Sequence, residues 1–416
     1  MRFGLDFSPL RATLKGNFAL FTASNAVSVV GTWVQRVAVG WLTWDLTHSG
    51  TWLGAVAMAE FLPTLVIAPL TGVLADRFDR RRMAVAGQCL AAVQALALAV
   101  LSLSGHITAA MIFALQLFAG LIQPLIQSAR LVLVPSLVPR ENLGNAVAIT
   151  SMTFNVARIV GPALSGLMIT SIGAGYSFLT NAVSYIGVIA ALAALKLPPH
   201  VPRVDRHPWA GIWGDLQEGW RYTFSHEILR WVIPLITFGA AALWPLTDLM
   251  AGIVAENFNR GAGGLAILTS AQGVGALVGG LYLASRKQHA DLHRLMVKAM
   301  VANGLLVALF ASMPVFWAAV PVLVANGLFS VVVGSGSLTV TQIASTEAMR
   351  GRTVSLWYLV TRVGPALGGM LLGSLASLLG FRIPIIAAGF ATAAVATVFV
   401  LKYARSPANS PTVDHQ

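Results

Sequence analysis

Twelve apolar runs, each long enough to cross a bilayer, fill most of this 416-residue sequence and leave few folds open to it. A hydrocarbon core about 30 Å thick needs about 20 residues of helix. Runs of that order lie at roughly 17–45, 51–75, 83–104, 108–134, 144–170, 174–195, 228–255, 263–285, 293–313, 316–344, 352–377 and 382–403. Lipid offers no hydrogen-bond partner to the backbone, so such runs fold as helices that satisfy their own amides. Several exceed about 25 residues, which predicts tilted or kinked helices. Hydrophobic residues make up 56% of the chain and charged residues only 10%. So few charges cannot coat a soluble globule of this size, and the solvent is largely lipid.

The basic residues set the expected orientation. With a cytoplasmic N-terminus, the inner segments hold Arg2, Arg11, Lys15, the Arg77 to Arg82 group, Arg140, Lys196, Arg203, Arg206, Arg221, Arg286, Lys287, Arg294, Lys298, Arg350, Arg352, Lys402 and Arg405. The outer turns hold Arg260 and Arg382, so both termini are expected in the cytoplasm, in a bacterial inner membrane or another plasma membrane. The first run is much longer than the 7–15 residues of a signal-peptide core and is read as a retained span. A net charge of +12 would suit nucleic acid in a soluble protein. Here the positive residues punctuate apolar runs instead of forming a stripe with interleaved aromatics, so no nucleic-acid partner is expected. The single cysteine, Cys89, excludes an internal disulfide and any CxxC metal or redox site.

The connection 197–227 is the longest and most polar, and it falls between the sixth and seventh runs. It divides the chain into an N-terminal six-helix bundle (1–196), a cytoplasmic linker (197–227), a C-terminal six-helix bundle (228–403) and a cytoplasmic tail (404–416). VGPALSG at Val160 to Gly166 recurs as VGPALGG at Val363 to Gly369, each closely preceded by an arginine, Arg158 or Arg362. Chance similarity between glycine-rich helices is the plain alternative. The positions, in the fifth and eleventh runs, favour an internal repeat. The fold expected is an all-α integral membrane protein with 12 transmembrane helices in two pseudo-symmetric six-helix bundles, and nothing in the sequence requires more than a monomer.

GVLADRFDRRRM, Gly72 to Met83, gathers six charged residues directly after an apolar run. Its Gly72, Leu74, Ala75, Asp76, Arg77, Arg80 and Arg81 resemble the loop motif between the second and third spans of the major facilitator superfamily, and the resemblance covers essentially the whole chain. GTWVQRVAVGWLTWDLT (Gly31 to Thr47), FLPTLVIAPLTGVLADRFDRRR (Phe61 to Arg82), VPRENLGNAVAI and NVARIVGPALSG are similar to the enterobactin-exporter-like, or transmembrane secretion effector, branch, which has macrolide exporters among its relatives. Asp79 stands where the loop motif has a glycine, and the second-half counterpart, GLYLASRK from Gly280, lacks the aspartate. The family's span-five antiporter pattern survives as Gly161, Pro162 and Gly166, with Ala148 and Ala157 at usual glycine positions.

Positive-inside anchoring alone accounts for Arg77, Arg81 and Arg82. The resemblance implies more for the rest of the loop. Gly72 permits close approach of span eleven, whose N-terminus begins near Arg352, and Asp76 faces the positive end of that helix with Arg80 steadying it. Such a latch joins the halves only while the cytoplasmic side is closed.

Ions inside the apolar runs cost about 2.5–3.5 kcal/mol each at mid-helix and call for a partner or a role. Arg36, Glu60, Arg158, Asp248 and Arg362 are the candidates. Arg36 and Glu60 each lie twelve residues from the turn at His48, about 18 Å along antiparallel helices, and Asp248 lies at a similar depth before the turn at Phe258 and Asn259. Two readings stand: Glu60 or Asp248 exchanges a proton as Arg36 moves nearer or farther, or the ions form a static pair that fixes helix register.

Polar stripes point the same way. Asn25, Ser28, Thr32, Gln35 and Arg36 share one face, as do Gln116, Gln123, Gln127 and Arg130, and Ser151, Asn155, Arg158 and Ser165. Each faces either a central cavity or a neighbouring helix. Trp33, Trp41, Trp44, Trp244, Trp357 and Tyr358 suit a cavity for a bulky solute or an interfacial anchor, with Trp33 and Trp244 nearest the depth of the ions.

No GxxxxGK[ST] phosphate loop is present, and HEILR at His226 lacks the second histidine of a zinc helix. No enzymatic activity, metal or cofactor is expected. The reading is a secondary transporter working by alternating access, a proton-coupled exporter of a small organic molecule such as a siderophore, drug or metabolite. An importer of the same fold and a non-transporting membrane receptor or scaffold are the alternatives.

Overall fold

The computed structural model describes residues 13–77, 79–195, 212–286 and 291–404. It consists of helices joined by short turns, with no strand among the described residues. In chain order they are α1 Gly16–Thr47, α2 Gly50–Arg77, α3 Arg80–Leu103, α4 Ala109–Ser136, α5 Leu143–Ser171, α6 Ala174–Ala194, α7 Ile212–Ser225, α8 Leu229–Leu243, α9 Met250–Phe258, α10 Ala262–Ser285, α11 Leu292–Ser312, α12 Phe316–Ala344, α13 Arg350–Leu379 and α14 Arg382–Ala404. Among the described residues, ten helical segments are long and apolar enough to cross a membrane. This is a multi-pass membrane protein.

Two departures from the sequence reading have physical causes. The seventh run is not one helix: α8 gives way to a 3₁₀ turn at Trp244–Leu246 before α9 starts. Pro245, in that turn, has no amide hydrogen to continue the α-helical ladder. The connection after span six is not all loop, because it contains α7, whose Glu218 pairs with Arg352 of α13 at 3.1 Å. The Tyr222 hydroxyl of α7 also accepts from the Thr346 backbone N–H at 3.2 Å.

Asp79 does not spoil the turn between α2 and α3. It is the N-cap of α3, its carboxylate accepting from the Arg82 amide at 2.8 Å, with a φ of −58° that any L-residue adopts. The glycine usual at this position is therefore not required by this backbone. Arg81 donates to the carbonyl of Ala193 at the end of α6, where a cation complements the helix dipole.

The packing of the first six helices recurs in the last. α1 packs on α5 and α6, α2 on α4, and α3 on α4 and α6; correspondingly α8 packs on α13 and α14, α10 on α12, and α11 on α12 and α14. Two broad contacts join these sets, α2 with α13 and α5 with α10. Both depend on small residues. Gly54 lies on the Gly369 carbonyl, Gly50 and Gly373 approach one another's carbonyls, and Gly166 lies on Ala266. A side chain at any of these glycines would meet the opposing helix, the small-residue logic of packing in lipid. Ser377 reinforces the seam by accepting from the Thr51 amide at 3.0 Å. The seam is thus closed at the end that carries the turns at His48 and Asn259. The largest apolar core also crosses it, taking Val37, Trp44 and Leu53 from α1 and α2 together with Leu246, Leu249 and Phe381.

Candidate functional site

A cleft beside this seam collects the ions that the sequence placed at matched depth. Arg36 of α1 donates to Asp248 at 2.9 Å and lies 3.6 Å from Glu60 of α2. Asp248 sits in the turn between the 3₁₀ segment and α9, so the break in span seven presents a carboxylate across the seam. None of the three is sealed off: their side chains keep 31% (Arg36), 22% (Glu60) and 13% (Asp248) of their surface exposed.

Trp33, Arg36, Glu60, Arg158, Thr247, Asp248, Thr269 and Gln272 line the cleft, together with Gln116 and Pro162 and an apolar wall that includes Val37, Leu53, Val56 and Leu265. Arg36 and Arg158 both lie over the Trp33 indole, at 5.8 and 5.9 Å from its ring centre. The Phe61 ring is likewise shared by Arg36 at 5.5 Å and Arg362 at 5.8 Å. A cleft with apolar walls and a few convergent charged groups is what a small-molecule site requires. Among the described residues no cluster of His, Cys, Asp and Glu is arranged to hold a metal ion.

The family model described as "transmembrane secretion effector" matches residues 5–412. The chain belongs to the transmembrane secretion effector family. An enterobactin exporter of Shigella boydii serotype 4 is 26% identical over 377 residues, covering 90% of this chain and 89% of that protein. An enterobactin exporter of Escherichia coli O139:H28 is equally similar, with the same coverage. A bacterial homolog of the human lysosomal transporter Spinster superposes with a TM-score of 0.73 at 14% identity, covering 96% of this chain and 98% of that one. A bacterial homologue of the iron transporter ferroportin gives a TM-score of 0.73 at 15% identity, covering 94% and 99%. A transmembrane secretion effector of this kind is a transporter of the major facilitator type and not an enzyme.

The remaining residues that the sequence singled out fall in different places. Gln35, next to Arg36, is turned away from the cleft: it donates to Gln94 at 2.9 Å and accepts from Asn181 at 2.8 Å. Gln123 is half-buried in α4 and Asn155 bonds the Ser151 carbonyl of its own helix, neither of them lining the cleft. Trp244 packs beside Gly334 of α12 and does not line the cleft. Tyr358 is 51% exposed, edge-on to Trp357, and Arg362 is exposed at the Phe61 face. Gly161 seats the backbone and Cβ of Trp33, and Pro162 lines the cleft, so the span-five motif shapes this site directly; Gly166 makes the seam contact with α10. The surroundings of Gly72, Asp76, Arg77 and Arg80 lie outside the described residues.

Sequence reasoning missed Phe61, Thr247, Thr269 and Gln272. Phe61 adjoins Glu60, and its aromatic face was the available signal. Thr247, at the break in span seven, donates to Gln272 of α10 at 3.1 Å, a contact that residue counting does not reveal.

Proposed function

We propose that this chain is a secondary active transporter that exports a small organic molecule, a siderophore, drug or metabolite, in exchange for protons. Two six-helix halves, 1–196 and 228–403, joined by the linker 197–227 and followed by the tail 404–416, would make twelve spans with both termini in the cytoplasm of a bacterial cell, working as a monomer in the inner membrane. The observation that carries the reading is the bridge from Arg36 in the first half to Asp248 in the second, with Glu60 on the same guanidinium. The relatives described as enterobactin exporters support export as the direction.

The bridge gives alternating access a coupling element. With the N-terminus inside, the closed seam at His48 and Asn259 is the outer end, and the conformation faces inward. Here Arg36 bridges the two carboxylates. Rocking of the halves to open the outer end separates Asp248 from Arg36, and an unpartnered carboxylate in a low-dielectric cleft takes up a proton from the outside. Return to the inward state brings Arg36 back and expels that proton to the cytoplasm. A proton drives the cycle only because the two states bind it with different affinity. The loop motif completes the cycle as the latch of the opposite state: Gly72, Asp76 and Arg77 lie at the end of α2, which packs along α13, and Arg80 and Arg81 open α3.

The test is transport in proteoliposomes under an imposed pH gradient, with a panel of catecholate siderophores, macrolides and lipophilic metabolites. Glu60→Gln and Asp248→Asn are each expected to lower gradient-driven transport at least tenfold, about 1.4 kcal/mol or more. Undiminished coupling in both variants overturns the proposal.

A further inference from the structure

Five side chains alternate cation and ring in a row: Arg158, Trp33 and Arg36, which line the cleft, then Phe61 and the exposed Arg362 beyond it. The row starts on α5, passes through α1 and α2, and ends on α13, so its two ends lie on opposite sides of the seam. Those ends are the two arginines that precede the repeated VGPAL segments. Only the middle cation, Arg36, has a carboxylate within ion-pair distance among the described residues, and it takes both Glu60 and Asp248. Arg158 and Arg362 face ring planes at 5.9 and 5.8 Å instead. That is the outer limit of cation–π attraction, about 6 Å, and such a contact attracts a cation without cancelling its charge.

Three guanidinium groups against two carboxylates leave the row with a net positive charge. The missing partner is an anion. A guanidinium presents a planar fork that matches a carboxylate or similar acid group with two parallel hydrogen bonds. Trp33 and Phe61 stand between the forks and offer faces for a planar body.

We propose that this row binds an aromatic organic anion, its acid groups held by Arg158 and Arg362 and its ring body against Trp33 and Phe61. The idea rests on the transporter reading for its purpose and names the substrate class of the same cleft. Because the two end arginines belong to opposite halves, an arene with acid groups at both ends ties the halves together in this conformation.

Binding to the purified, full-length protein in detergent decides the matter without any transport step. The probes are naphthalene-2,6-dicarboxylate, its neutral diamide, the corresponding bis-amidine dication, and adipate as a dianion with no ring, each followed by calorimetry. The expected order is the aromatic dianion first, at least tenfold tighter than any of the other three. Arg158→Gln and Arg362→Gln each weaken the dianion about tenfold, and Arg362→Lys, which keeps the charge but loses the fork, weakens it less. Equal or reversed preference among the probes, no binding of the aromatic dianion at millimolar concentration, or affinity unchanged in both glutamine variants overturns the proposal. The wild-type probe series stands even if a variant does not fold. Loss of this preference alongside intact gradient-driven transport would remove the substrate class and leave the transporter reading in place.

Discussion

Gln35 and Arg36 are consecutive on α1, about 100° apart around the helix, and they serve two different parts of the molecule. Gln35 is buried in a network of amides: Gln35 to Gln94 at 2.9 Å, Gln94 to Gln116 at 3.1 Å, and Asn181 to Gln35 at 2.8 Å. All four belong to helices of the first half, α1, α3, α4 and α6. The second half has a counterpart, in which Gln272 donates to Asn326 at 2.8 Å and Asn326 to Asn303 at 2.8 Å, linking α10, α12 and α11. Arg36 instead reaches across the seam to a carboxylate in the other half. Neutral amides with their hydrogen bonds met inside one half make that half rigid. The part-buried ion pair instead spans the two halves. The molecule thus has amide networks that bond within one half and an ion pair that bonds across the seam.

The sharpest way to break this comparison is to remove an amide. Gln94→Leu takes away the acceptor of the Gln35 amide N–H and the donor to the Gln116 carbonyl, both at buried sites, a loss of about 1–3 kcal/mol. Thermal unfolding of the purified variant should show a lower midpoint, while pH-gradient coupling per folded molecule stays at the wild-type level. A changed pH dependence with unchanged stability would mean that the network belongs to the cycle and not to the scaffold.

Next in size is a change at the seam itself. Gly54→Val places a branched side chain against the Gly369 carbonyl, where the structure has no room for a Cβ. The closed end then cannot close as it does here, and the population should move at least tenfold, about 1.4 kcal/mol, toward conformations with that end open. Spin labels at Thr51 and at Leu378, which is 81% exposed, report the distance across the seam once the exposed Cys89 is replaced by serine. An unchanged distance distribution would show that this contact is not a moving part.

Much of this was readable in the sequence for a simple reason. Helix rise is fixed, so counting residues from the His48 turn brought Arg36 and Glu60 to one depth, and counting back from Asn259 brought Asp248 there too. Span limits were equally legible, as in 316–344 against Phe316–Ala344 and 382–403 against Arg382–Ala404. Direction around the helix was less so. The stripe that joined Gln35 to Arg36 gave their relative angle but not which neighbour each would face, and that depends on how α1 is rotated against α3, α6 and the seam. Trp244 shows a second limit: it lies beside Gly334 and does not line the cleft, at the start of a 3₁₀ turn that counting along an unbroken helix does not anticipate.

The smallest effect tests the one departure from the loop motif that the structure explains. Asp79 caps α3 through the Arg82 amide at 2.8 Å, on backbone that needs no glycine. Asp79→Ala removes the cap and should cost about 0.5–2 kcal/mol, whereas Asp79→Asn, which keeps an accepting oxygen, should cost less. Both are read by thermal unfolding. The bond lies within the first half and does not cross the seam, so transport per folded molecule should be unaffected by either substitution. If Asp79→Ala instead shifts the inward and outward populations while leaving the unfolding midpoint alone, the carboxylate belongs with the seam ions and not with the scaffold, and the division drawn between Gln35 and Arg36 does not extend to this loop.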